Sequence, residues 1–361
     1  MGQYLFICLT QLQLISSLNI IDEMLEKGES FDADLILQAD GRQGIRELEE
    51  RCKKLGIFRN IVFFEPEQNY HFRHWLKGKN FFKIRIIDVA LYSFKSLRKY
   101  FYKRLYSKTS LKFSEYSSVY YFNNNERLFK LLSPACQYHI IDEGVGSYTS
   151  RTHFSKADVI HLYEPQLCCY SLAPNEKLTK QLKISPQRKR LFNWLNQIFN
   201  IDKNEKINIL YLDQPLERKL TEDDCAFTLK KTIFSEFVKR HSVDSLQIRS
   251  HPAMNDKIKN KYKKLFGDVY SDKNSGLSLE MQWMLSETLP KEIHTISSSG
   301  ALYWMFMFED NEVTNTKVYL YWPIYRRYLH NDQTQNLICL DKFFEKIQVR
   351  YPNNFFLRNQ I

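Results

Sequence analysis

"YLFICLTQLQLISSLNIIDEMLEKGESFDADLILQA", Tyr4 to Ala39, decides the fold class. Tyr4 to Thr10 is an apolar run of strand length. Gln11 to Lys27 repeats its apolar residues at helical spacing, as an amphipathic helix does, and Ala33 to Ala39 is a second apolar run. Strand, helix and strand make a βαβ unit, whose crossover leaves the two strands parallel. The series continues outward with a charged helix "GIRELEERCKKLG" and a third strand "NIVFFEP". "SSVYYF" (Ser117 to Phe122) and "QYHIID" (Gln137 to Asp142) follow, with a short helix between them.

A polar segment rich in Lys, Asn and Gln then interrupts the pattern, and the pattern restarts. "INILYLDQP" (Ile207 to Pro215) reads as a strand, "AFTLKKTIFSEFVKRH" as a helix and "SLQIRSHP" (Ser245 to Pro252) as a strand ending in a turn. "EIHTISSSGALYWMFMF" reads as strand, turn and helix, and "KVYLYWP" as a further strand. The expected architecture is α/β, with two Rossmann-like domains facing a central cleft. They span 1–170 and 207–361, with 171–206 as linker.

Bulk composition agrees with a folded chain of that size. The protein has 361 residues, 43% hydrophobic and 15% aromatic, with 26 Phe and 22 Tyr. That supports a sizeable core and argues against disorder. Only 11 glycines are present, which excludes an extended Gly-rich nucleotide loop. Any phosphate site must be short. Seven cysteines, an odd number with no CxxC spacing, read as reduced thiols of a cytoplasmic protein. "MGQYLFICLTQLQLI" has no basic n-region and no small-residue cleavage site, and its apolar run is too short to span a bilayer.

The net charge of +11 calls for an anionic partner. It is concentrated in residues 72–112, which hold twelve Lys or Arg against one acid, Asp88. Phe, Tyr and Trp interleave with these cations at helical spacing. Three readings stay open: a peripheral helix on an anionic inner-membrane surface, a solvated insertion on its own domain, or the contact of a homodimer. No recognised nucleic-acid module accompanies the charge, so nucleic acid is not an expected partner.

Four stretches end predicted strands, where open α/β sheets place their ligands. Asp142-Glu143-Gly144 in "YHIIDEGVGSY" is an acidic turn. Asp213 and Glu217 flank Pro215 in "LDQPLER". His251 and Pro252 close "IRSHP", where proline would hold the imidazole in a rigid turn. Ser297, Ser298, Ser299 and Gly300 open a helical run, a place where backbone N–H groups can cradle phosphate. Taken singly, each is ordinary turn or capping chemistry.

Their order carries more. Acidic-acidic-Gly, then His-Pro, then Ser-Ser-Ser-Gly on two Rossmann-like domains resembles the bacterial sialyltransferases, and is similar to glycosyltransferase family 52, the lipooligosaccharide sialyltransferases. "NSGLSLE" (Asn274 to Glu280) resembles a further family segment, and "FICLTQLQ" the family's first strand, with Thr10 and Gln13 among the substrate-binding positions. The resemblance implies a GT-B architecture and an inverting, metal-independent enzyme without a cofactor. Its C-terminal domain would bind CMP-sialic acid, and its N-terminal domain a terminal galactose of lipooligosaccharide, capsule or a similar glycolipid.

The residue chemistry fits that expectation. Departure of CMP needs donors where negative charge develops, and His251 with Ser297 to Ser299 would supply them. Glu280 would accept from the ribose hydroxyls, and Arg249 would fix the nucleotide. The acceptor hydroxyl needs a general base: Asp142 is ranked first and Glu217 second, with Glu143 and Asp213 as the other carboxylates that could serve. Family members carry Asp directly after the proline matching Pro215, and this chain has Leu216. That departure leaves open another sugar donor, for example that of a glucosyltransferase. A polyanion-binding protein without turnover is the non-enzymatic alternative.

Overall fold

The computed structural model describes residues 2–38, 45–64, 109–150, 154, 156–170, 172, 179–199, 207–217, 224–242, 245–251, 253–271, 278–285, 289–308, 315–329 and 335–361. The basic aromatic segment, 72–112, lies outside these except for its last four residues. By contacts the chain forms two compact units: Met1–Asp142 with Thr152–His161, and Glu143–Arg151 with Leu162–Ile361.

The first half runs β1 (Gln3–Cys8), α1 (Gln11–Glu26), β2 (Asp32–Gln38), α2 (Leu48–Lys54), β3 (Asn60–Phe64), β4 (Ser118–Tyr121), α3 (Glu126–Phe129), β5 (Gln137–Ile141), α4 (Gly146–Thr149), β6 (Val159–Leu162) and β7 (Thr179–Gln181). The sheet order is β3-β2-β1-β4-β5-β6-β7. The pairings from β3 through to β6 are parallel. Leu5, Phe6, Ile7 and Cys8 are all buried, as a central strand covered on both faces requires.

Helix α1 departs from the amphipathic expectation. Ser16, Ser17, Asn19 and Asp22, which should mark its wet face, are buried. The Ser16 and Ser17 hydroxyls donate back to the carbonyls of Leu12 and Gln13, at 3.0 and 2.8 Å. Those local bonds let a helix with serines be enclosed without leaving them unsatisfied.

One buried carboxylate ties this unit together. Asp34, on β2, accepts from Arg59 Nε (3.1 Å) and Nη2 (2.6 Å), from the backbone N–H and side-chain amide of Asn60, and from the Tyr116 hydroxyl. It thereby joins β2 to the start of β3 and to the segment entering β4. Burial pushes the Asp34 carboxyl up, but the bonds from Arg59, Tyr116 and Asn60 outweigh it and hold it below the ordinary range.

The second half contains α5 (Lys189–Ile198), β8 (Ile209–Leu212), α6 (Cys225–Arg240), β9 (Leu246–Arg249), α7 (Asp256–Phe266), β10 (Tyr270–Ser271), α8 (Leu279–Leu285), β11 (Glu292–Thr295), α9 (Tyr303–Met307), β12 (Lys317–Leu320), α10 (Trp322–Tyr328), α11 (Gln335–Arg350) and β13 (Phe355–Leu357). Its sheet is β10-β9-β8-β11-β12-β13, with all pairings parallel. The fold class is therefore α/β, with two parallel sheets in succession. No helix among the described residues is long and apolar enough to cross a membrane.

Two expectations change. The polar stretch 171–206 is not a bare linker, because it holds β7 and α5. Its Lys, Asn and Gln content hides the stripe Leu191, Leu195 and Ile198, which α5 buries. By contacts the units part at Asp142/Glu143 and again around residues 151 and 161. "ALYWMFMF" is also not one helix. A 3-10 turn over Ser299–Ala301 precedes the five-residue α9, whose residues are all buried.

Replacing Asp34 by Asn removes the charge from this hub and should lower unfolding stability by about 1–3 kcal/mol. A carboxylate whose folded pKa is depressed adds stability above its unfolded value of about 3.9 and loses it as pH falls through the folded value. Denaturant titrations across that window should show the acid loss in the wild type and a shallower one in Asp34→Asn.

Candidate active site

Parallel register sets the geometry of the second unit's sheet. Leu212 at the end of β8 pairs with Arg249 of β9 and with Thr295 of β11. Three strands therefore end level and side by side, with β8 in the middle. Asp213–Glu217, Ser250–His251 and Ile296–Gly300 leave the sheet at this edge.

The β8 turn is anchored by a buried ion cluster. Lys230 Nζ lies 2.6 Å from Asp213 Oδ1 and 2.6 Å from Glu217 Oε1, with all three side chains inaccessible. Tyr262 donates to Glu217 Oε1 (2.7 Å) and Tyr270 to Asp213 Oδ2 (2.8 Å). Burial, reinforced by the two carboxylates, pushes both phenols far above their ordinary range, so they remain donors. Lys230 also donates to the carbonyl of Gln214. It reaches the cluster because Ala226, Lys230, Ile233 and Phe237 share the buried face of α6.

This arrangement bears on two expected site residues. Asp213 and Glu217 are engaged with Lys230 and the tyrosines, and Glu217 Oε2 is buried with no hydrogen-bond partner among the described residues. A carboxylate in that position is a structural counterion, out of reach of an acceptor hydroxyl. Pro215, between them, is exposed.

At the end of β9, the backbone N–H of Ala253 donates to His251 Nδ1 (3.1 Å). A neutral ring accepting at Nδ1 carries its proton on Nε2 and is a donor there. Arg249 is buried and donates to Gln282 and to Gln247 (2.9 Å), which aims its guanidinium at α8 and along its own strand. Pro252 lies outside the described residues.

After β11, Ser297 gives both its N–H and its O–H to Gln214 Oε1, at 2.9 Å each. The N–H of Ser298 donates to Thr295 Oγ1 (3.1 Å). Two of the expected backbone donors are thus spent internally. The cradle narrows to the amides of Ser299 and Gly300 and the hydroxyls of Ser298 and Ser299. The 3-10 turn is too short to add much dipole. Gly300 packs the turn onto α8: a Cβ there would lie 2.8 Å from Leu279 Cδ1, and its carbonyl accepts from Trp283 Nε1 (3.0 Å). Glu280, in the first turn of α8 and nearly buried, comes with that helix. Asn274 to Leu277 of the "NSGLSLE" segment lie outside the described residues.

The acidic turn divides between the units. Asp142 is wholly buried, and its N–H donates to the carbonyl of His161 (2.9 Å) within the first unit. Glu143 is half-buried and belongs to the second, where its N–H donates to Ser147 Oγ (3.0 Å). Gly144 has φ +126°, a conformation that favours glycine, and a Cβ on it would sit 3.8 Å from Ser299 Oγ. A Cβ on Gly146 would crowd Glu143 Oε1 at 3.1 Å. Gly144 thus lies beside Ser299, while the Glu143 carboxylate folds over Gly146 of its own turn. Thr10 and Gln13 form the capping box of α1: Thr10 Oγ1 accepts from Gln13 N (3.3 Å), and Gln13 Oε1 from the N–H groups of Leu9 and Thr10.

Sequence reasoning missed Gln214, Lys230, Tyr262 and Tyr270. A lysine on an otherwise apolar helix face was the available signal. Among the described residues no group of three or more His, Cys, Asp or Glu could hold a metal ion.

No family model matches the chain, and no curated protein matches it. Solved structures of similar shape include the GT-B domain of a sialyltransferase from Photobacterium damselae, with 11% identity, TM-score 0.48, and coverage of 99% of this chain and 100% of that one. Another is MurG of Acinetobacter baumannii, with 10% identity, TM-score 0.42, and coverage of 100% and 87%. A third is S. aureus MnaA with UDP, with 10% identity, TM-score 0.43, and coverage of 98% and 97%.

Lys230→Met should destabilise the second unit by about 3–5 kcal/mol, because two carboxylates then stay buried without their cation. Chemical unfolding of the variant measures it. A change below about 1 kcal/mol would mean the cluster is solvated rather than buried.

Proposed function

We propose that the protein is a GT-B glycosyltransferase that transfers sialic acid from CMP-sialic acid to a galactose-terminated bacterial surface glycan. The observation that carries this reading is the level ending of β9, β8 and β11. It sets an imidazole with an Nε2 donor and a serine turn on either side of the β8 loop, with the Glu143–Gly144 turn against Ser299. The resemblance of the motif order to that of glycosyltransferase family 52 supports the CMP-sialic acid donor.

In this mechanism the bond from the sialyl anomeric carbon to the phosphate oxygen breaks, and negative charge gathers on departing CMP. His251 Nε2 and the Ser298 and Ser299 hydroxyls donate to it there. Glu280 accepts from the ribose hydroxyls. The acceptor hydroxyl attacks the opposite face of the sugar and gives its proton to a carboxylate. Burial reorders the candidates for that base. Glu143 is half-exposed, Asp142 has no exposure, and Glu217 is paired to Lys230. Glu143 is the base of this reading, and Asp142 shapes the turn beneath it. The basic segment at 72–112 would hold the enzyme on the anionic membrane that carries a glycolipid acceptor. Leu216 favours the second reading, another nucleotide-sugar donor on the same site.

The test is transfer from CMP-sialic acid to a panel of galactosides. Glu143→Gln should lower kcat by about 10²–10⁴-fold, the usual contribution of a general base, with the donor KM little changed. Full turnover by Glu143→Gln alongside loss in Asp142→Asn would assign the base to Asp142. Turnover of a UDP-sugar, but not of CMP-sialic acid, would establish the second reading.

A further inference from the structure

Gln214 sits between the two carboxylates of the β8 turn and, among the described residues, is held at every group but one. Its N–H donates to Asp213 Oδ1 (2.8 Å), its carbonyl accepts from Lys230, and its Oε1 accepts both donors of Ser297 at 2.9 Å. The opposite amide orientation would set N–H against N–H, so the bonding itself assigns Oε1 and Nε2. A carboxamide is planar, so an Oε1 locked onto Ser297 turns Nε2 to the other arm. Gln214 is only half-buried, and it lies on the middle strand end, between the ends that bear His251 and the serine turn.

Among the described residues, the cations of this edge are already committed. Lys230 faces two carboxylates, and Arg249 donates to Gln282 and Gln247. What the described residues of the edge offer a ligand is a set of neutral donors: an imidazole N–H, serine hydroxyls and a fixed amide NH2. Fixed neutral donors suit an oxygen that only accepts, such as a phosphate oxygen. Tying down one glutamine with a buried triad is unfavourable for stability, and replacing such triads by apolar groups is often neutral or better. A turn that must hold one side chain in one orientation gives that arrangement a purpose.

We propose that Gln214 is a ligand-binding residue, whose Nε2 donates to a phosphate oxygen of the nucleotide at the ends of β8, β9 and β11. Lys230 and Ser297 act on it as positioning residues. The proposal rests on the reading of this edge as a nucleotide-sugar site and adds to it a residue of the "LDQPLER" stretch that was not among its expected site residues.

Gln214→Glu is the discriminating variant. One carboxylate oxygen still accepts from both Ser297 donors, so the latch survives, while the outward arm changes from donor to anionic acceptor. Calorimetric titration with CMP, UDP and inorganic phosphate, beside thermal unfolding, reads the result. CMP affinity should fall at least about tenfold at an unchanged unfolding midpoint, as expected for losing a charge-assisted bond. In the wild type, the Gln214 side-chain amide signals in 15N spectra should shift when CMP is added, a readout that does not depend on the variant's folding.

Equal CMP affinity in wild type and Gln214→Glu, or amide signals that do not move, would overturn the role of Gln214 and leave the CMP reading intact. Binding of UDP without CMP would overturn the CMP reading, and the same affinity ratio measured with UDP would then decide on Gln214. No binding of any of the three would overturn both.

Discussion

A single ammonium group, Lys230 Nζ, holds the middle of the second unit. It lies 2.6 Å from each of two carboxylates on the turn after β8, where no side chain of the three reaches solvent. Removing these charges from water is unfavourable, and their attraction offsets it only when the remaining lone pairs are also bonded. Tyr262 bonds Glu217 Oε1 and Tyr270 bonds Asp213 Oδ2, which leaves Glu217 Oε2 without a partner among the described residues, and burial keeps the phenol protons in place. The turn thus has one arrangement. Through Gln214 that order passes to Ser297, and so to the neighbouring strand end.

A second constraint is directional. Strands of a parallel sheet all end on one edge, and ligands of open α/β sheets gather there. In the second unit the register levels three such ends, so residues far apart in the chain meet without a long loop reaching for them. Glycine completes the assembly by allowing close approach. Gly300 lets the serine turn lie on α8, Gly144 supplies the positive φ of the acidic turn beside Ser299, and Gly146 leaves room for the Glu143 carboxylate. A chain with only 11 glycines places three of them here.

The strands were legible because a buried parallel strand needs a continuous apolar run, and the runs at Tyr4, Ala33, Ile207 and Ser245 each contain one. Helix α1 was legible as a helix but not in its burial, since serines bonded to their own helix carry no sign of it in the sequence. Composition misled at 171–206, where polar bulk masks the three apolar positions of α5. At the site, the positions of Asp142, His251 and Ser297 were readable from strand ends. The engagement of Asp213 and Glu217 was not, because it depends on a lysine one helix away in sequence. The odd placement of Lys230 among Ala226, Ile233 and Phe237 was the one clue.

The central claim is that the edge formed by β8, β9 and β11 receives the nucleotide. A crystal structure of the protein grown with CMP tests it most directly. The account predicts the phosphate within hydrogen-bond reach of His251 Nε2 and the Ser298 to Gly300 turn, with the ribose toward Glu280. Nucleotide density at any other edge, or phosphate contacts that bypass His251 and the serine turn, would contradict it.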